Sequence, residues 1–119
     1  VKEVLKLIDK NLINGCANIT GGGLADNIQR VVPDNFTAEI NLDLIKTSKI
    51  FKWIHKKGIS DKEMLKTFNC GVGFCLIIKP KKLNQIKRYF TNNFKPYVIG
   101  KITKNFKEKV KLNGSVNWI

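Results

Sequence analysis

Apolar residues recur at helical spacing from the first position, where Val1, Val4, Leu5, Ile8 and Leu12 describe one face of an amphipathic helix over residues 1–13. Asn14-Gly15 supplies its stop signal. Cys16 to Thr20 is short and mixed, either a strand or an extended approach to the three glycines that follow. From Leu24 to Val32 the helical period returns through Leu24, Ile28 and Val31, and Pro33-Asp34-Asn35 reads as a turn. Phe36-Thr37-Ala38-Glu39-Ile40-Asn41 then alternates apolar with polar positions, the mark of a half-buried strand.

Ser48 is placed to cap a helix over residues 49–57, in which Ile50, Phe51 and Ile54 share a face and which Gly58 ends. Ser60-Asp61-Lys62-Glu63 has the form of a capping box and opens a second short helix to about Thr67. The nearly continuous apolar character of residues 68–79 predicts a central strand buried on both faces, stopped at Pro80. Helical spacing over 81–92 and a strand over 97–102 follow. The tail, with Val110, Leu112 and Val116, is expected as a hairpin partner of that strand or as an edge. Interleaved helices and strands predict an α+β fold, a mixed β-sheet covered by helices.

A length of 119 residues bounds this to one domain, 1–119. No apolar run approaches the roughly 20 residues that span a bilayer, and no signal-peptide pattern opens the chain, so the expectation is a soluble, cytoplasmic protein. The helical pattern is already under way at Val1, which reads as a piece of something longer. A net charge of +13 raises nucleic-acid binding as a function class. Against it, the charge is nearly all lysine, spread along every segment, and only Arg30 and Arg88 offer the forked guanidinium that such recognition favours. Cys16, Cys70 and Cys75 form no C-x-x-C pair and have one histidine, His55, to assist, so no metal site is expected. His55, on a lysine-rich helix, reads as a solvated surface residue, and Cys70 as a buried structural thiol.

Candidate chemistry concentrates in two stretches. Ile19-Thr20 runs into Gly21-Gly22-Gly23 and then into a helix, so main-chain N–H groups there are free to cradle a phosphate or carboxylate. Asp26 and Asn27 fall in the first turn of that helix, where a carboxylate suits the dipole and Asn27 can reach back toward the glycines. The second stretch, Thr67-Phe68-Asn69-Cys70-Gly71-Val72-Gly73-Phe74, sets a Gly-x-Gly at the mouth of a strand with Asn69 on its rim. Neither a Ser-His-Asp set nor a carboxylate pair is visible, so no catalytic residue is assigned.

The strings ANITGGGLADNIQRVVPDN, IFKWIHKKG and EMLKTFNCGVGF, in this order, resemble the C-terminal domain of the aminoimidazole ribonucleotide synthetase family, the phosphoribosylformylglycinamidine cyclo-ligases. The likeness extends at least to YVIGKI. It implies a dimeric, cytoplasmic enzyme of purine biosynthesis that uses ATP and Mg²⁺ to cyclise formylglycinamidine ribonucleotide to aminoimidazole ribonucleotide. In such enzymes the substrate's amide oxygen is phosphorylated and an internal nitrogen closes the ring. The family's ATP-binding half precedes this region, so the resemblance implies that these residues alone are inactive and hold neither ATP nor Mg²⁺. It makes Asn18, Thr20, Gly21, Gly22, Gly23, Asn27 and Asn69 the expected contacts to the substrate and its phosphate. Two positions depart from the family pattern: Asn18 stands where a histidine is usual, which removes a proton shuttle, and Gln29 where a proline is usual. The alternatives are a sister enzyme, such as formylglycinamidine ribonucleotide synthase or a selenophosphate synthetase-like protein, and a lysine-rich nucleic-acid-binding module.

Overall fold

The computed structural model describes residues 2–105 and 107–119, so the expected place of Val1 on the first helix lies outside it. The chain divides into two compact units, one formed by residues up to Cys16 together with Leu76–Val98, the other by Ala17–Cys75 together with Ile99–Ile119.

In the first unit, α1 (Lys2–Asp9) and α5 (Leu83–Lys87) enclose a small core in which Leu7, Leu12 and Ile86 are buried. The helix expected to reach residue 13 stops at Asp9. Asn11 takes a left-handed conformation, φ 54°, while its N–H donates to the Ile8 carbonyl at 3.0 Å and the Leu12 N–H donates to the Leu7 carbonyl at 2.9 Å. This pair of bonds is a Schellman closure, with asparagine in the place glycine usually takes. Leu12 is thereby turned into the core and not along the helix. The helix expected over 81–92 is likewise shorter: Pro80–Lys82 forms a 3₁₀ turn and only Leu83–Lys87 is α-helical.

The second unit is built on a three-stranded mixed sheet. Its central strand β2 (Phe36–Asn41) pairs antiparallel with β4 (Gly100–Lys104) and parallel with β5 (Val110–Asn113). Ala38 lies opposite Ile102 and Val110, and Ile40 opposite Gly100 and Leu112, so one apolar row crosses all three strands. A side chain at Gly100 would meet the Glu39 carbonyl at 2.1 Å, which is why the row has a glycine there. Helices α2 (Gly23–Gln29), α3 (Lys49–Lys56) and α4 (Asp61–Thr67) complete the unit around a core that includes Leu24, Ile28, Ala38, Ile40 and Met64. Ser60 caps α4 as expected, its hydroxyl accepting from the Glu63 N–H at 3.2 Å. The α+β architecture with a mixed sheet and helices is the one anticipated.

Of the two placements expected for the tail, β5 takes the edge, flanking β2 on the side opposite β4. Three expectations are corrected. The strand expected over 97–102 begins at Gly100. The supposed central strand over 68–79 is only β3 (Phe74–Ile77), in a two-stranded sheet with β1 (Gly15–Asn18). Residues 69–73 cannot extend it, because Cys70 (φ 54°) and Gly71 (φ 102°) are left-handed and the Asn69 Oδ1 accepts from the Gly71 N–H at 2.9 Å. Cys70 and Val72 are buried, but as loop residues. His55 is also not a free surface residue: its ring stacks on Trp118 with centroids 4.6 Å apart at 8°, and its Nε2 lies 2.7 Å from Asp61 Oδ1.

Candidate functional site

The two glycine-containing stretches meet in the second unit. The Ile19 N–H donates to the Gly73 carbonyl at 3.0 Å, which seats the approach to the glycine triplet beside the Asn69–Gly73 loop. Behind the triplet, Gly23 lies against α4, where a Cβ would stand 1.8 Å from the Leu65 carbonyl oxygen. No other residue type fits at that position, since its φ of +76° adds left-handed strain to the steric conflict.

Thr20 to Gly23 forms a tight turn closed by the Gly23 N–H donating to the Thr20 carbonyl at 3.1 Å. Gly22, at φ 96° and ψ −14°, takes the third position of a type II β-turn. Asn27, one helical turn further on, is 5% exposed. Its Nδ2 donates to the Gly23 carbonyl at 2.7 Å and faces the Thr20 and Gly21 carbonyls at 3.3 and 3.5 Å, while its Oδ1 accepts from the Thr20 hydroxyl at 3.4 Å.

The seven expected contact residues therefore separate. Asn18, Thr20 and Gly21 are exposed, and Gly22 and Asn69 are half-buried at the same loops. Gly23 and Asn27 are buried and act from within, Gly23 as a close-packing point and Asn27 as a brace. The expected row of bare amides is also shorter than the sequence suggests. The Gly23 N–H is spent on Thr20, and the Asp26 carboxylate folds back so that Oδ2 would lie 2.8 Å from a Cβ on Gly22. Neither Asp26 leaning over the turn nor the Leu65 carbonyl that dictates Gly23 is legible from residue spacing. Gly21 and Gly73 differ from the other glycines here. A Cβ at either would meet nothing within 4 Å, and neither has a positive φ, so the fold itself requires glycine at neither place.

Burial, with a smaller contribution from the Asp61 charge, pushes the Cys70 thiol up to about 11, and its Sγ lies 3.4 Å from the Met64 carbonyl. Burial alone raises Cys75 to about 11. Both are thiols near neutral pH, unsuited to nucleophilic attack. Among the described residues no group of three or more His, Cys, Asp or Glu could hold a metal ion. A concavity of about 510 Å³ beside Asp34, Glu108 and Lys109 is lined by none of the seven expected contact residues.

The motif residues thus build a braced glycine turn joined to a second glycine loop by a main-chain hydrogen bond. The chain belongs to the family described as AIR synthase related protein, C-terminal domain, whose profile matches residues 1–113. It is 45% identical over 105 residues to the phosphoribosylformylglycinamidine cyclo-ligase of Carboxydothermus hydrogenoformans, covering 87% of this chain and 30% of that protein. To the chloroplastic phosphoribosylformylglycinamidine cyclo-ligase of Arabidopsis thaliana it is 40% identical over 104 residues, 86% of this chain and 27% of the relative. A third cyclo-ligase, from Streptococcus agalactiae serotype Ia, is 40% identical over 111 residues, 92% and 32% respectively. The chain thus spans under a third of the length of these relatives.

Proposed function

We propose that these residues are the substrate-side, C-terminal part of a phosphoribosylformylglycinamidine cyclo-ligase. The enzyme acts in purine biosynthesis in the cytoplasm as a dimer and cyclises formylglycinamidine ribonucleotide to aminoimidazole ribonucleotide. ATP with Mg²⁺ supplies the phosphoryl group that makes the amide oxygen a leaving group. In this reading the nucleotide and its ion are held by the family's preceding, ATP-binding half of the enzyme.

The work of this chain is binding and orientation, which converts an internal attack into a favoured geometry. Thr20, Gly21 and Gly22 offer a hydroxyl and close main-chain approach to the substrate, with Asn18 and Asn69 contributing amide hydrogen bonds from either side. Gly23 and Asn27 hold the turn in place. Asn18 hydrogen-bonds without exchanging protons near neutral pH, so acid–base chemistry is carried by other groups.

The observation that carries this reading is the pair of glycines, Gly21 and Gly73, that the fold does not require although they sit where the two family motifs meet. Open space at Gly21 allows a clean test. Gly21→Val in the full-length enzyme should leave the fold intact and raise the KM for formylglycinamidine ribonucleotide by about tenfold or more, by blocking close approach. An unchanged KM removes the turn from the substrate surface. Turnover of a sister enzyme's substrate in place of this one would replace the assignment altogether.

A further inference from the structure

We propose that Asn27 is a positioning residue that fixes the direction of the Gly21–Gly22 peptide, so that the Gly21 and Gly22 N–H groups face outward toward the substrate. This rests on the reading of the turn as part of the substrate surface.

Type I and type II turns differ by a flip of the central peptide, here the bond between Gly21 and Gly22. Neither residue carries a side chain that would make one orientation sterically compulsory. A flip is therefore accessible, and a neighbouring group must select between the two. Asn27 is that neighbour. Its Nδ2 faces the carbonyls of Thr20, Gly21 and Gly23 at 3.3, 3.5 and 2.7 Å, the shortest bond anchoring the side chain and the longer two sharing the remaining hydrogen. Flipping the central peptide would replace the Gly21 carbonyl with the Gly22 N–H, setting donor against donor beside Asn27, which is only 5% exposed.

The amide is itself held the right way round. Thr20 Oγ1 donates to Asn27 Oδ1 at 3.4 Å, so a hydroxyl occupies the acceptor end and carbonyls the donor end. No cis peptide is present among the described residues, and in a trans peptide the C=O and N–H point opposite ways. Turning the Thr20 and Gly21 carbonyls in toward Asn27 turns the N–H groups of Gly21 and Gly22 out. One buried side chain thus determines what the exposed Gly21 and the half-buried Gly22 present.

The test is Asn27→Asp in the full-length enzyme, which keeps the shape and exchanges the donor for an acceptor. With a carboxylate facing the turn, the central peptide should reverse. Hydrogen exchange of the Gly22 amide, followed by NMR, should slow by about tenfold as its N–H turns inward, and the KM for formylglycinamidine ribonucleotide should rise by about tenfold with kcat changed by less than about threefold. Unchanged Gly22 exchange in a folded variant overturns the proposal. So does an unchanged KM in that variant when Gly21→Val raises it. If neither substitution raises the KM, the substrate-surface reading falls and takes this proposal with it. Should Asn27→Asp fail to fold, Asn27→Ala removes donor and acceptor together. A KM raised by at least about threefold then supports the proposal, and a KM at the wild-type value overturns it.

Discussion

Gly21 and Gly23 are two positions apart and answer to different demands. At Gly23 the demand comes from the protein's own backbone, the Leu65 carbonyl, and Gly23→Ala should destabilise the fold by about 3 kcal/mol through overpacking and left-handed strain. Gly21→Ala should change stability by less than about 0.5 kcal/mol, because its Cβ would enter open space. Thermal unfolding of the two variants side by side checks the contrast. Asp26 bears on charge: if the ligand group near Gly22 is a phosphate, Asp26→Asn should lower the substrate KM by about two- to threefold by removing a like charge, and the gain should shrink at high salt. The buried thiols give a pH dependence. Burial pushes the Cys70 and Cys75 thiols up to about 11 in the folded chain from the 9.0 of an exposed thiol, so the native state holds more protons between these values. Their contribution to stability is full below about pH 9 and is lost as pH rises toward 11, a decline that denaturant titrations from pH 8 to 11 should register and that Cys70→Ala should reduce.

At the scale of single elements, what the sequence disclosed is what short-range chemistry decides. The cap at Ser60 is an example, and Ser60→Ala should cost about 1 kcal/mol of stability, measurable as a lowered denaturant midpoint, by freeing the Glu63 N–H. The helices after Ser48 and Ser60 and the alternating strand Phe36–Asn41 were legible because period and stop lie within a few residues of each other, although the Ser48 side chain, unlike that of Ser60, makes no capping hydrogen bond. Residues 68–79 misled because burial is not extension: Cys70 and Val72 reach the core from a left-handed loop, and periodicity cannot separate the two cases. The first helix ended early because Asn11 accepted a conformation that the sequence pattern reserved for Asn14-Gly15. At the candidate site the glycines were visible as letters. Their division into close-packing, turn-forming and unforced positions was not, since it depends on Leu65, Asp26 and Asn27 arriving from other turns of the fold.

At the scale of the whole molecule, β2 is the one strand of its sheet bonded on both edges, and the core of the second unit gathers on it. Its amides should be the last of that unit to exchange with deuterated solvent, Ala38, bonded to the Lys109 carbonyl at 2.8 Å, among the slowest, while β4 amides that point away from β2 should exchange earlier. Exchange in β4 as slow as in β2 would mean that something covers that edge. The ladders that protect β2 also impose a delay on its birth. Ile40 waits for Gly100 and Ala38 for Val110, about 60 to 70 residues downstream, which at a ribosomal pace of about 5–20 residues per second is an interval of several seconds. Throughout that interval the nascent strand is sticky and unmated on both sides, so a cell making this protein quickly has reason to shelter it until the distal segments emerge.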